Sequence, residues 1–259
     1  MVEYTFSLDN FEIFLLILVR VSCFIFIAPF FGMANVPGRL KIGLAVCISV
    51  LVNGFVDTSY VGYTGMLGYA VIVLKEGITG LLIGLAANIC NSIILFAGNI
   101  IDMDIGLSMA QEFDPINHTQ VTITGNLYFY FVMLLLVVSD MHHVILNSFV
   151  DAFALIPING QVFDWEHLAS GFITYMADMF VIAFRIMLPI FACIMILNSI
   201  LGIMVKVSPQ MNMFAVGLQL KVLVGLCVLF ITVRMLPGIA DFIYTEMKQM
   251  MVAFVESMI

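Results

Sequence analysis

Residues 201–221, LGIMVKVSPQMNMFAVGLQLK, hold two apolar arms joined by an elbow of Lys206, Ser208, Pro209, Gln210 and Asn212. Ser208 suits a helix N-cap, and Pro209 suits the first helical position, where a backbone N–H would have no partner anyway. Lys206 falls at the end of the incoming arm, where a cation complements the helix dipole. Each arm continues far enough to cross a bilayer. The stretch therefore reads as the tip of a helical hairpin at a membrane surface, with Lys206, Pro209, Gln210 and Asn212 as its tip residues.

The rest of the chain agrees with a membrane setting. Of 259 residues, 63% are hydrophobic and only 10% charged, against about 25% charged in ordinary globular domains; mean hydropathy is +1.16. The apolar residues form continuous runs and not period-2 alternation, which predicts helices over a transmembrane barrel. The expected fold class is all-α, a polytopic membrane protein of broken helices and helical hairpins. The start, MVEYTFSLDN, has two acids, no basic residue and no small-x-small site after its apolar run, so no cleaved signal peptide is expected. The five cysteines lie inside apolar runs without a CxxC pair and read as small buried hydrophobes. A net charge of −8 argues against nucleic acid as a partner.

Apolar runs cover 11–31, 40–56, 66–101, 127–139, 144–156, 171–205 and 213–236, followed by an amphipathic tail. Two of them, 66–101 and 171–205, exceed the roughly 20 residues of a single span. Gly77, Gly80 and Gly84, with Pro29 and Pro189, supply the expected break points. Gly80 and Gly84 also form a small-xxx-small pair that permits close helix approach. The cations flanking the runs, Arg39, Lys41 and Lys206, predict those loops in the cytoplasm and both termini outside.

Polar islands interrupt the apolar pattern. The stretch 97–126 carries Asp102, Asp104, Glu112 and Asp114 with no Lys or Arg, and turn formers at Gly106, Asp114-Pro115 and Asn117. It reads as a solvated loop, as a pore constriction with pliable Met103 and Met109, or as a cation site on Asp102, Asp104 and Glu112. Within the apolar runs, Arg20, Lys75, Glu76 and Arg185 are costly to bury alone and call for charge pairing. Glu76 and Lys75 cannot face each other on one helix, so Arg20 or Arg185 is the expected partner of Glu76. His142 and His143 beside Asp140 suggest zinc, but adjacent histidines diverge on a helix and no third ligand follows; a helix break capped by polar side chains is expected, and no metal. The methionines of the tail read as a packing face, not as a copper site. No nucleophile constellation or phosphate loop is present, so no enzyme and no cofactor are expected.

In order along the chain, Arg20, Pro29-Phe30-Phe31-Gly32, Pro37, Lys75-Glu76 with Gly80 and Gly84, Gly98, Ile101-Asp102, Gly106, Met109-Ala110, Asp114-Pro115, Asp140 with His142-His143, Leu188-Pro189, Pro209-Gln210, Asn212, Phe214, Gly217 and Lys221 resemble the FliR family, export-gate subunits of the bacterial flagellar type III secretion system and its virulence counterparts. Asp104 and Met141 depart from the family's usual glutamine and glycine. The resemblance implies a core subunit of the export gate in the bacterial inner membrane, at the flagellar basal body. It implies assembly with FliP, FliQ, FlhB and FlhA type subunits and passage of unfolded export substrates. It further implies a FliP-like region over 1–170 and a FliQ-like hairpin with a C-terminal amphipathic helix over 171–259. The loop 106–120 would be the pore plug, built on Gly106, Leu107, Ser108, Met109, Ala110, Gln111, Glu112, Phe113, Asp114 and Pro115. The rival reading is a secondary transporter or ion channel with its cation site at Asp102, Asp104 and Glu112, although no internal repeat of the kind common in such transporters stands out.

Overall fold

The computed structural model describes residues 8–33, 35–56, 62–63, 65–110, 112–114, 119–208 and 213–258. Eight α-helices dominate: α1 Leu8–Ile27, α2 Gly38–Asn53, α3 Gly65–Ile105, α4 Ile123–Val138, α5 Met141–Leu155, α6 Trp165–Val207, α7 Met213–Thr232 and α8 Leu236–Glu256. Among the described residues, the exceptions to all-α structure are two three-residue strands, β1 Glu112–Asp114 and β2 Thr119–Val121, and two short 3-10 turns. Four helical stretches are long and apolar enough to cross a membrane, or five if the broken pair α4–α5 is counted as one span.

The expected break points behave differently from the sequence reading. The α3 helix is continuous for 41 residues and α6 for 43, each about 60 Å long at 1.5 Å per residue. That is about twice the apolar thickness of a bilayer. Gly77, Gly80 and Gly84 do not interrupt α3; they let another helix come close. A methyl on Gly80 would lie 2.2 Å from the Arg20 carbonyl oxygen, and one on Gly84 3.1 Å from that of Phe24. Both carbonyls belong to α1, so the small residues mark a backbone-to-backbone approach of α1 and α3. Pro189 lies inside α6 without ending it, and it lacks the N–H that would bond the Arg185 carbonyl. Pro29 does follow a helix end, two residues after α1. The helix break expected beside His142 and His143 is present: α4 ends at Val138 and α5 begins at Met141, with Asp140 between them at φ 56° and without the expected side-chain cap.

Contacts divide the chain into two compact units, each assembled from separated segments. The first contains Met1–Ile89, Asp140–Tyr175 and Thr245–Ile259. Its core is the buried face of α1, with Leu16, Ile17, Val21, Phe24 and Ile25, against α5, where Phe24 stacks on Phe149 at 3.9 Å between centroids and Phe153 meets Phe149 edge-on. The segment between α5 and α6 is tied to the last turn of the chain by Val162 N–H donating to the Met258 carbonyl at 3.0 Å.

The second unit contains Cys90–Ser139 and Met176–Tyr244. Here Gly98 of α3 meets Gly125 of α4 so closely that a methyl on Gly98 would sit 2.1 Å from the Gly125 Cα. Tyr128 of α4 shares a 2.8 Å hydrogen bond with Thr232 at the end of α7, and Gly225 of α7 accommodates the Ile105 side chain. Apolar side chains remain exposed along most helices, among them Leu40, Ile42 and Val50 on α2 and Phe131 and Leu134 on α4, as expected where lipid or other chains provide the surroundings.

Candidate functional site: a polar hairpin and two buried carboxylates

Glu76 and Arg20 are both fully buried, and Arg20 Nε donates to Glu76 Oε2 at 2.5 Å. The other Glu76 oxygen, Oε1, accepts from the Asn159 backbone N–H at 2.9 Å and from Gln161 Nε2 at 3.0 Å. Gln161 Nε2 also reaches Thr79 Oγ1 at 3.2 Å. Arg20 Nη1 donates to the Ile156 carbonyl at 2.9 Å, and its guanidinium lies 4.5 Å from the centre of the Phe153 ring. A buried ion pair survives only with such additional bonds, because desolvation of two charges otherwise exceeds their attraction. The turn after α5 provides them: Asn159 adopts φ 60° and Gly160 N–H closes the turn on Pro157.

The sequence offers Arg20 and Arg185 as partners for Glu76, and Arg20 takes the place. Arg185 belongs to the second unit, where it lines a cavity of about 470 Å³ with Arg234, Pro189 and Thr232. Lys75 is half-buried on a different side of α3 from Glu76. Nothing in the sequence points to Asn159 and Gln161 as partners of Glu76; the Asn-Gly pair signals the turn but not its acidic target.

The second carboxylate, Asp102, is also fully buried. Both its oxygens lie 3.2 Å from the Thr124 N–H, the second residue of α4. An acid accepting from a free N–H in the first turn of a helix satisfies both the orphan donor and the dipole. The 97–126 island is therefore not one loop: α3 continues through Asp102 and Asp104 to Ile105, and α4 begins at Ile123. Asp102 and Asp104 stand two positions apart on a helix and point in different directions. No cation site on them forms among the described residues.

Gly106 ends α3 with φ 93°, a backbone state open mainly to glycine. Leu107–Ala110 form a 3-10 turn, followed by β1, which pairs antiparallel with β2 in the register Glu112↔Val121, Phe113↔Gln120, Asp114↔Thr119. Gln111 and Pro115 of the expected plug lie outside the described residues. The expected plug thus contains a strand ladder where the sequence suggests an irregular loop. The β-branched residues Thr119, Val121, Thr122 and Ile123, after Asp114-Pro115, are the available signal. At the expected hairpin tip, Lys206 is the exposed penultimate residue of α6; Pro209, Gln210 and Asn212 lie outside the described residues.

Long apolar helices, a close glycine crossing, buried charges satisfied within the protein and a polar insertion between two helices define an α-helical integral membrane protein. Residues 11–247 match the family described as bacterial export proteins, family 1, and the chain belongs to that family. It is 30% identical over 226 residues to the flagellar biosynthetic protein FliR of Bacillus subtilis (strain 168), covering 86% of this chain and 87% of that protein. It is 26% identical to FliR of Aquifex aeolicus (strain VF5), over 84% and 83% of the two chains, and 24% identical to FliR of Escherichia coli (strain K12), over 88% and 87%.

Proposed function

We propose that this chain is a structural, non-catalytic component of the flagellar protein export apparatus, a core subunit of its type III export gate in the bacterial inner membrane. Family membership and the FliR relatives across most of the chain support the export role. Helices about twice as long as a bilayer is thick fit a subunit surrounded by other proteins more than by lipid. On this reading it assembles with FliP, FliQ, FlhB and FlhA type subunits, with residues 1–170 FliP-like and 171–259 FliQ-like, and helps line the path of unfolded substrates. The secondary-transporter reading is not favoured, since Asp102 is committed to the first turn of α4.

The observation that carries the gating role is the polar insertion between α3 and α4, launched by Gly106 at positive φ and folded into β1–β2 within an otherwise helical, apolar chain. As a plug, it would block the pore until substrate displaces it. Deleting 106–120 is expected to leave an assembled complex that conducts small ions, because the constriction no longer excludes water. Membranes that stay as tight as wild type, with the complex intact by co-purification, would remove the plug from this account.

A further inference from the structure

We propose that Asp140, His142 and His143 form a binding site for a divalent transition-metal ion of the zinc class, at the start of α5. One ring nitrogen from each histidine and one Asp140 carboxylate oxygen all lie within 4.8 Å of one another. The Asp140 Oδ1 to His143 Nδ1 separation is 3.6 Å. Two ligands 2.0–2.1 Å from a tetrahedral ion stand about 3.4 Å apart, so this pair is already near coordination spacing. The expected divergence of adjacent histidines does not hold here: the two rings lie 4.1 Å apart, centroid to centroid.

Three further observations point to a ligand. Asp140 stands at the N-cap of α5, the place where an aspartate ordinarily accepts from a first-turn N–H, yet its side chain makes no capping bond. Its carboxylate instead faces His143. His142 is half-buried, and its buried Nδ1 has no hydrogen-bond partner among the described residues, whereas a buried ring nitrogen ordinarily finds one. Asp140 also holds φ 56°, and Phe30, whose ring is 6.5 Å from that of His142, holds φ 68°. Non-glycine residues in this conformation are uncommon and cluster at functional sites.

Two imidazoles and one carboxylate are a borderline donor set suited to Zn²⁺ or Co²⁺ and unlike the all-oxygen shells of Mg²⁺ and Ca²⁺. The single negative ligand offsets the unfavourable positive end of α5. Asp140 and His143 are mostly exposed, so an ion enters from solution and keeps open coordination positions for water. Bound there, it would cross-link the helix break to the first turn of α5, fixing Asp140 in its strained conformation.

The test uses the full chain in detergent, purified with a histidine-free tag, stripped with chelator and titrated with Co²⁺ at neutral pH. Near-stoichiometric visible d–d bands, lost on adding Zn²⁺ and lacking the intense near-ultraviolet band of cobalt–thiolate bonds, are expected. His142→Ala combined with His143→Ala should abolish them, and Asp140→Asn should weaken binding by at least about tenfold, since even supporting residues around metal ligands carry that much. Absence of d–d bands in the wild-type chain overturns the proposal, whatever the variants do. So does a thiolate band, which would assign the ion to cysteine, or a spectrum undiminished in the double variant.

Discussion

Glu76 and Asp102 sit on the same helix, 26 positions apart, and are equally buried; what surrounds them differs completely. Glu76 meets a guanidinium, an amide side chain and a backbone N–H. Asp102 meets a single backbone N–H at a helix start, with no ion pair among the described residues. A buried acid thus finds its compensation in whatever donor the approaching segment brings: α1 and the turn at 157–160 for Glu76, the unpaired first turn of α4 for Asp102. The first arrangement ties three distant segments together. The second fixes where one helix begins.

The difference should show most strongly when each acid is removed. Glu76→Ala leaves Arg20 buried without its anion, and breaking such a pair costs about 3–5 kcal/mol. The expected outcome is loss of folded, monodisperse chain in detergent and failure to recover it in a complex. Arg20→Met with Glu76→Leu should restore much of the yield, because apolar residues of similar volume replace a buried pair at little cost. A Glu76→Ala chain as stable as wild type would mean that Arg20 is solvated and that the ion pair is incidental.

Removing Asp102 should cost less. Asp102→Ala strands one buried N–H, worth about 1–3 kcal/mol, while Asp102→Asn keeps an acceptor oxygen and should fall between alanine and wild type. Thermal unfolding of the detergent-solubilised chain orders the three. If Asp102→Ala matched Glu76→Ala, the contrast between a cation-paired and an amide-paired acid would fail.

How much of this was legible beforehand follows the same division. The membrane class came from composition and uninterrupted apolar runs, and the need for a partner at Glu76 came from charge inside such a run. Neither the Asn159 amide's contact with Glu76 nor the Thr124 amide's contact with Asp102 is legible in the sequence, because both depend on which backbone groups the fold leaves unpaired. Gly80 and Gly84 carry the same lesson. Their spacing speaks equally for a break and for a close approach, and the opposing α1 carbonyls decide for approach. Asp140 shows the limit of local pattern, since a good capping residue at a helix start makes no cap.

A third carboxylate extends the comparison to the surface. Asp164 precedes α6 and is exposed; its Oδ1 accepts from the N–H groups of Glu166 and His167 at 3.0 and 3.2 Å, and its Oδ2 lies 2.6 Å from His167 Nδ1. The side-chain bond to His167, followed by the backbone bond from the same residue, holds the Asp164 pKa below the ordinary aspartate range. A depressed acid pKa means that the folded helix start prefers the ionised form. Its contribution is fully present above the usual aspartate value of about 3.9 and is lost as pH falls through the lower folded value. Since the group is in water, the effect is confined to the first turn of α6. Trp165, the only tryptophan in the chain, follows Asp164 directly and stacks on Phe163 at 5.7 Å, so its fluorescence reports that turn. An acid titration of the wild-type chain should show a reversible change centred below the ordinary aspartate value, and Asp164→Asn should flatten it while leaving global unfolding unchanged. A transition that persists in Asp164→Asn would place the titrating group elsewhere and leave the cap as geometry without electrostatic consequence.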